Sequence, residues 1–152
     1  MTAADPPPRS RAERKADTLR KLETEVDVWV ASAGEDGRAN LVPLSFVWHE
    51  AALTVAMPTT SVTARNLIRA GWARMALGPT RDVVLLDGPL EVVPLGRNAA
   101  LEDAHARATG FDPRELPQEY RYFRLKPKWI QAWRESNELA ERTLMENSAW
   151  LV

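Results

Sequence analysis

The chain has 152 residues, 45% of them hydrophobic and 27% charged, with a formal net charge of −1; this is the balance of one globular domain with a sizeable core. A charge so near zero offers no global attraction to nucleic acid or to an anionic membrane, and no apolar run approaches the ~20 residues that span a bilayer. Cysteine is absent, which excludes disulfides, thiol nucleophiles and cysteine-based metal sites and fits a cytoplasmic protein.

In chain order, residues 1–8 read as a disordered tail, and "MTAADPPPRS" lacks the apolar stretch of a secretory signal. A single domain is expected over 9–152. "RSRAERKADTLRKLETEVD" (9–27) predicts a charged helix with Leu19, Leu22 and Val26 on one stripe. Its basic start (Arg9, Arg11, Arg14, Lys15) reads as a solvated face balanced by Glu13 and Asp17, in preference to an RNA contact. "VDVWVASA" (26–33), the turn "GEDGR" and "ANLVPLSFVW" (39–48) predict a hairpin, and "HEA" turns the chain into "ALTVAM" (52–57).

These strands are apolar on both faces, which predicts a closed barrel or a sheet covered by a partner. "VTARNLIRAG" (62–71) is a short helix with Gly71 as its stop. Strands follow at 72–79 and 82–95, and Gly88-Pro89 in the second predicts a bulge or barrel corner. Residues 96–110 predict a helix, 111–119 a loop, 120–135 a long strand broken near Pro127, and 139–145 a last strand before a short tail. The connections are too short for parallel crossovers, so the fold class is mainly β (α+β): an antiparallel barrel of six or seven strands with two or three helices.

Little in the chain suggests side-chain catalysis. His49 and His105 stand alone, and no G-x-S-x-G, P-loop, dinucleotide fingerprint or metal-ligand spacing is present. The stretch "MPTTSVTARNL" (57–67) is different, with four hydroxyls in five positions (Thr59, Thr60, Ser61, Thr63) before Arg65 and Asn66. One hydroxyl is enough to cap a helix. Hydroxyls, a helix N-terminus and a guanidinium together also suit a phosphate. The residue types alone leave both readings open.

Taken in order, Asp36-Gly37-Arg38, Pro43 to Phe46, Thr59 to Leu67 and Trp72 to Leu77 resemble the pyridoxamine 5′-phosphate oxidase-like superfamily of split β-barrel proteins, in its actinobacterial branch. The resemblance covers roughly residues 20–95, with a weaker echo in "WIQAWRE". It implies a homodimer with two cofactor sites at the subunit interface. It also implies an oxidoreductase that passes hydride between a bound flavin and a small organic substrate, with no catalytic side chain required.

By the same resemblance, the cofactor phosphate lies against Thr59, Thr60, Ser61, Thr63, Arg65 and Asn66. The ring rests along Val42, Pro43, Leu44 and Ser45, and Trp133 or Arg134 comes from the partner subunit. Tyr120, Tyr122 and Trp133 are expected around the substrate. The family's lysine two positions before the arginine is Thr63 here, which removes one charge from the phosphate site. FMN is the expected cofactor and the deazaflavin F-420 the alternative. The longer acidic tail of F-420 needs further cations, with Arg69, Arg74, Arg121 and Arg124 as candidates. A non-catalytic flavin, F-420 or haem carrier is one further alternative, a haem requiring His49 or His105 as ligand, and a dimeric barrel with a decayed site, marked by Thr63, is another.

Overall fold

Alternating apolar residues drive six strands into a closed antiparallel barrel in the computed structural model, which describes residues 3–152. Its strands are β1 (Asp27–Ala33), β2 (Ala39–His49), β3 (Ala52–Pro58), β4 (Trp72–Leu77), β5 (Val83–Pro94) and β6 (Tyr120–Leu125). They pair in the cyclic order β1-β2-β3-β6-β5-β4, with β4 returning to β1. The expected barrel is present. Three further strands extend the sheet from β5: β7 (Trp129–Trp133), β8 (Thr143–Glu146) and β9 (Ala149–Trp150). The "tail" after residue 145 is therefore the second arm of a small hairpin, with Met145 opposite Trp150.

Gly88 turns the corner. The first half of β5 pairs with β4 and β7, and from Leu90 onward it pairs with β6. The predicted long strand 120–135 is thus two strands, broken over residues 126–128, and both lie along β5. A Cβ on Gly88 would stand 2.1 Å from the Lys126 carbonyl oxygen, so only glycine permits this approach.

Helices close the two ends of the barrel. At one end α1 (Arg11–Thr24) inserts Leu22 into the core, and at the other α2 (Val62–Ala70) inserts Ala64 and Leu67. The third helix, α3 (Ala99–Thr109), packs on the outer surface, where Leu101 joins Val47, Ala56, Val93 and Tyr122 in a second apolar cluster. This explains why β2 and β3 are apolar on both faces. Their inner residues fill the barrel and some of their outer ones lie under α3.

The N-terminal segment departs from the expectation in a physical way. Helix α1 stops at Thr24, so Val26 is exposed, while Arg14, Thr18 and Lys21 are buried beside Leu22. The basic start is tied into the fold rather than left as a solvated face, although Arg9 does pair with Asp17 as expected. Arg14 donates to the backbone carbonyl of Glu138 (3.2 Å), Arg11 to that of Thr143 (2.7 Å) and Lys15 to that of Val152 (2.6 Å). These donations tie α1 to the turn after β7, to β8 and to the last residue of the chain. Of the expected disordered tail, residues 1–2 lie outside the described residues. Pro6 accepts a hydrogen bond from Asn137 Nδ2 at 2.8 Å.

Candidate functional site

The hydroxyl-rich loop joins β3 to α2 at the end of the barrel where the β1–β2 hairpin turns. Ser61 is the N-cap of α2, its Oγ accepting from the Ala64 N–H at 3.1 Å. Thr63 and Asn66 are buried and face the barrel: Thr63 Oγ1 accepts from Asn40 Nδ2 (2.9 Å), and Asn66 Nδ2 donates to Ser32 Oγ (3.1 Å). Asn40 Nδ2 also reaches Ser32 Oγ at 3.2 Å. Ser32, Asn40, Thr63 and Asn66 therefore form one polar network pinning α2 to β1 and β2. The Thr63 hydroxyl therefore has a structural partner. Thr59 is tied to the chain before β6, its N–H donating to the Glu119 carbonyl at 3.0 Å.

That leaves Thr60 and Arg65, both exposed, as the outward groups of the loop. The Arg65 guanidinium takes no ion-pair or hydrogen-bond partner among the described residues. The other arginines considered for an acidic tail are all engaged: Arg74 with Asp87, Arg121 with Glu119, Arg124 with Glu91, and Arg69 with the Ala33 carbonyl.

On β2, Val42 and Leu44 turn inward onto the core, while Leu41, Pro43 and Ser45 take the outer face by strand alternation. Pro43, Leu44 and Ser45 wall a cavity of about 290 Å³, completed by Ala56, Met57, Pro58, His105, Phe111 and Tyr120. The loop starts at one edge of this cavity, because Pro58 lines it and Thr59 follows. On its other side Pro43 borders a broader groove of about 570 Å³ formed with Trp29, Ala76 and neighbouring backbone.

Tyr120 lines the cavity, whereas Tyr122 does not. It is fully buried in the cluster beneath α3. Sequence reasoning did not place His105 or Phe111 at this cavity, because a histidine amid alanines on an amphipathic helix carries no signal of what it faces. His105 is 1% exposed, and burial pushes its imidazole down to about 4, so it is neutral at neutral pH. Burial likewise pushes the Tyr122 phenol up to about 12.

Trp133 and Arg134 lie away from the loop in the same subunit. Trp133 pairs with Val83 at the end of β5 near the β4–β5 turn, whereas α2 precedes the opposite end of β4. Arg134 is held by Asp82 (3.3 Å) and Asp17 (3.7 Å). Trp133 shares an outer sheet face with Trp29, Trp72 and Trp129, spread over β1, β4 and β7 with β5 between. None of the six tryptophans is fully buried, and Trp48 and Trp150 pack against the core from its edge. Trp29 is 50%, Trp72 44% and Leu41 60% exposed, so large apolar side chains stand open on this face around the Arg74–Asp87 ion pair.

No family model matches the sequence, and no curated protein matches it. Solved structures do. A haem-binding protein from Mycobacterium smegmatis superposes with a TM-score of 0.67 at 17% identity, over 93% of this chain and 58% of that one, so the chain spans little more than half its length. An F-420 reductase gives 0.59 at 18% identity, over 73% of this chain and 93% of the other. A pyridoxamine 5′-phosphate oxidase-related, FMN-binding protein from Nostoc punctiforme gives 0.52 at 15%, over 80% and 78%. The chain shares a split-barrel fold with these proteins. The similar structures include proteins named for FMN, F-420 and haem and others of unknown function, and the fold alone does not choose among them.

Proposed function

We propose that the protein is a homodimeric FMN-dependent oxidoreductase acting on a small organic molecule. The observation that carries this reading is the free Arg65 guanidinium at the start of α2, beside the exposed Thr60 and a groove walled by Pro43–Ser45. A helix leaves its first-turn N–H groups without intrahelical partners, and Ser61 takes only that of Ala64. Those N–H groups, the Thr60 hydroxyl and Arg65 are a donor set suited to one phosphate monoester. The polyanionic tail of F-420 needs more cations, and Arg69, Arg74, Arg121 and Arg124 already have partners. That favours FMN. Haem ligation by His105 is disfavoured, since it faces a cavity too small for a porphyrin.

Bound FMN supplies hydride acceptance and donation. The chain's own residues position and shield it. Arg65 and the α2 N-terminus hold the phosphate, the Pro43–Ser45 backbone borders the ring, and a second copy covers the open Trp29–Trp72 face. In such a dimer Trp133 reaches the site from the partner, while Arg134 is left out because Asp82 and Asp17 hold it.

Arg65→Ala should weaken FMN binding at least tenfold, since a charge-assisted hydrogen bond contributes about 1.5–3 kcal/mol. Fluorescence titration on a folded variant measures this, and unchanged affinity would remove the assignment. Sedimentation at micromolar concentration should show a dimer that Trp29→Glu converts to a monomer with weakened FMN binding. A wild-type monomer would sink the interface site.

A further inference from the structure

A further cavity, of about 500 Å³, opens at the other end of the barrel from the Thr59–Ser61 loop. Strand β3 runs between the two ends: Ala51 before it lines this cavity, and Pro58 at its end lines the 290 Å³ one. Seven residues of strand separate them by roughly 20 Å. Four segments meet here: α1, the β2–β3 hairpin, the link from β6 to β7 and the β8–β9 hairpin. The volume is that of an ordinary small-molecule site. Its floor is apolar, with Leu19, Trp48 and Trp150 half-buried and Pro127 and Met145 buried. Lys15 holds the Trp150 indole, its Nζ standing 5.0 Å from the ring centroid while donating to the Val152 carbonyl.

The rim specifies the guest. Glu50, Lys126 and Ser148 are its exposed polar residues. Glu50 has no ion-pair partner among the described residues, and Lys126 has only a 3.7 Å contact with Glu91, which Arg124 already holds at 2.9 Å. Glu50 and Ala51 sit at φ 49° and 56°, a left-handed turn that glycine adopts without strain. The hairpin corner thus sets a carboxylate where the backbone suits glycine. A neutral apolar guest leaves both charges idle; a lone carboxylate faces Glu50, and a lone amine faces Lys126. A molecule with both charges beside a large apolar group matches the whole wall. We infer that this cavity binds a free amino acid with a large apolar side chain, its ammonium on Glu50, its carboxylate on Lys126 and its side chain on the Trp48–Trp150 floor. Burial against the indoles and Met145 supplies most of the affinity, because ion pairs at an exposed rim add little. The charges select and orient the guest. The site is independent of FMN and of the proposed reaction.

The probe is free phenylalanine, titrated into the full-length protein while the indole N–H signals of its six tryptophans are followed by NMR. Trp48→Phe and Trp150→Phe spectra assign the two signals at the cavity. Millimolar phenylalanine should move those two and leave Trp29, Trp72, Trp129 and Trp133 in place. Two matched analogues separate the charges: 3-phenylpropanoate lacks the ammonium and 2-phenylethylamine lacks the carboxylate. Each should bind about fivefold more weakly, the upper worth of an exposed ion pair. Glu50→Gln should weaken phenylalanine binding about fivefold and erase its advantage over 3-phenylpropanoate, and Lys126→Gln should erase its advantage over 2-phenylethylamine. Both side chains are exposed, so both variants should fold as the wild type does. Free glycine, with both charges and no apolar group, should give no response. No phenylalanine response, a response centred on the other four tryptophans, equal affinity for phenylalanine and its analogues or for glycine, or variants that bind as the wild type does would overturn the site.

Discussion

Replacing Glu138 by alanine should lower stability by about 3–5 kcal/mol, the usual cost of removing one partner of a buried ion pair. Glu138 is 2% exposed, in the turn after β7. It accepts from the Arg9 backbone N–H and Nε (both 3.0 Å), from Arg9 Nη2 (2.8 Å) and from the Arg134 N–H (2.9 Å). Without it, Arg9 retains Asp17 at 2.8 Å and Asp82 at 3.5 Å, but the lead into α1 loses its main anchor. In a chain of this size the melting temperature should fall by roughly 10 °C. A double-mutant cycle with Arg9→Ala separates the pair from the rest of the cluster, and a loss below about 1 kcal/mol would show that the clasp is ornamental.

The same residue sets an acid limit. Hydrogen bonds from Arg9 hold the Glu138 carboxyl down at about 2, against 4.5 for an ordinary glutamate. Folded Glu138 takes up a proton less readily than unfolded Glu138, so its contribution is complete above pH 4.5 and is lost as pH falls toward 2. The loss is on the order of 3 kcal/mol. His105 acts at higher pH. Its folded value is about 4 against 6.5, so the unfolded chain binds the proton first and stability falls as pH drops from 6.5 to 4. Glu138→Gln should flatten only the lower window in pH-dependent urea melts, and His105→Phe only the upper.

Gly88→Ala is expected to cost about 3 kcal/mol or more. The added methyl would stand 2.1 Å from the Lys126 carbonyl oxygen and 2.9 Å from its carbon. Both are backbone atoms, so no rotamer change relieves the clash. The strands β5, β6 and β7 would have to part at the corner where the barrel closes. Gly37→Ala is the control, with φ +81° but nothing within 4 Å of the new Cβ, and should cost only about 1 kcal/mol of backbone strain. Similar urea midpoints for the two variants would show that the corner has slack.

Much of this was legible in local pattern. The D-G-R hairpin, the corner at Gly88-Pro89, the break at Pro127 and the N-cap at Ser61 rest on turn and cap chemistry, which acts over a few residues. Thr63 and Asn66 show where such reading stops. Their types suit a phosphate loop, but their hydroxyl and amide turn inward to Asn40 and Ser32, contacts made across 23 and 34 residues of chain. The basic residues of α1 likewise look solvated until β7 and β8 bring their carbonyls alongside.

By itself, then, the sequence determined a single antiparallel barrel and pointed to the loop before α2, because alternation, turns and caps are local properties of the chain. Only the tertiary structure decided which hydroxyls and arginines remain free to bind. It alone placed His105 at a cavity wall and gathered four tryptophans on one open face. Those properties depend on distant segments meeting, and a residue's own neighbours in the chain do not encode them.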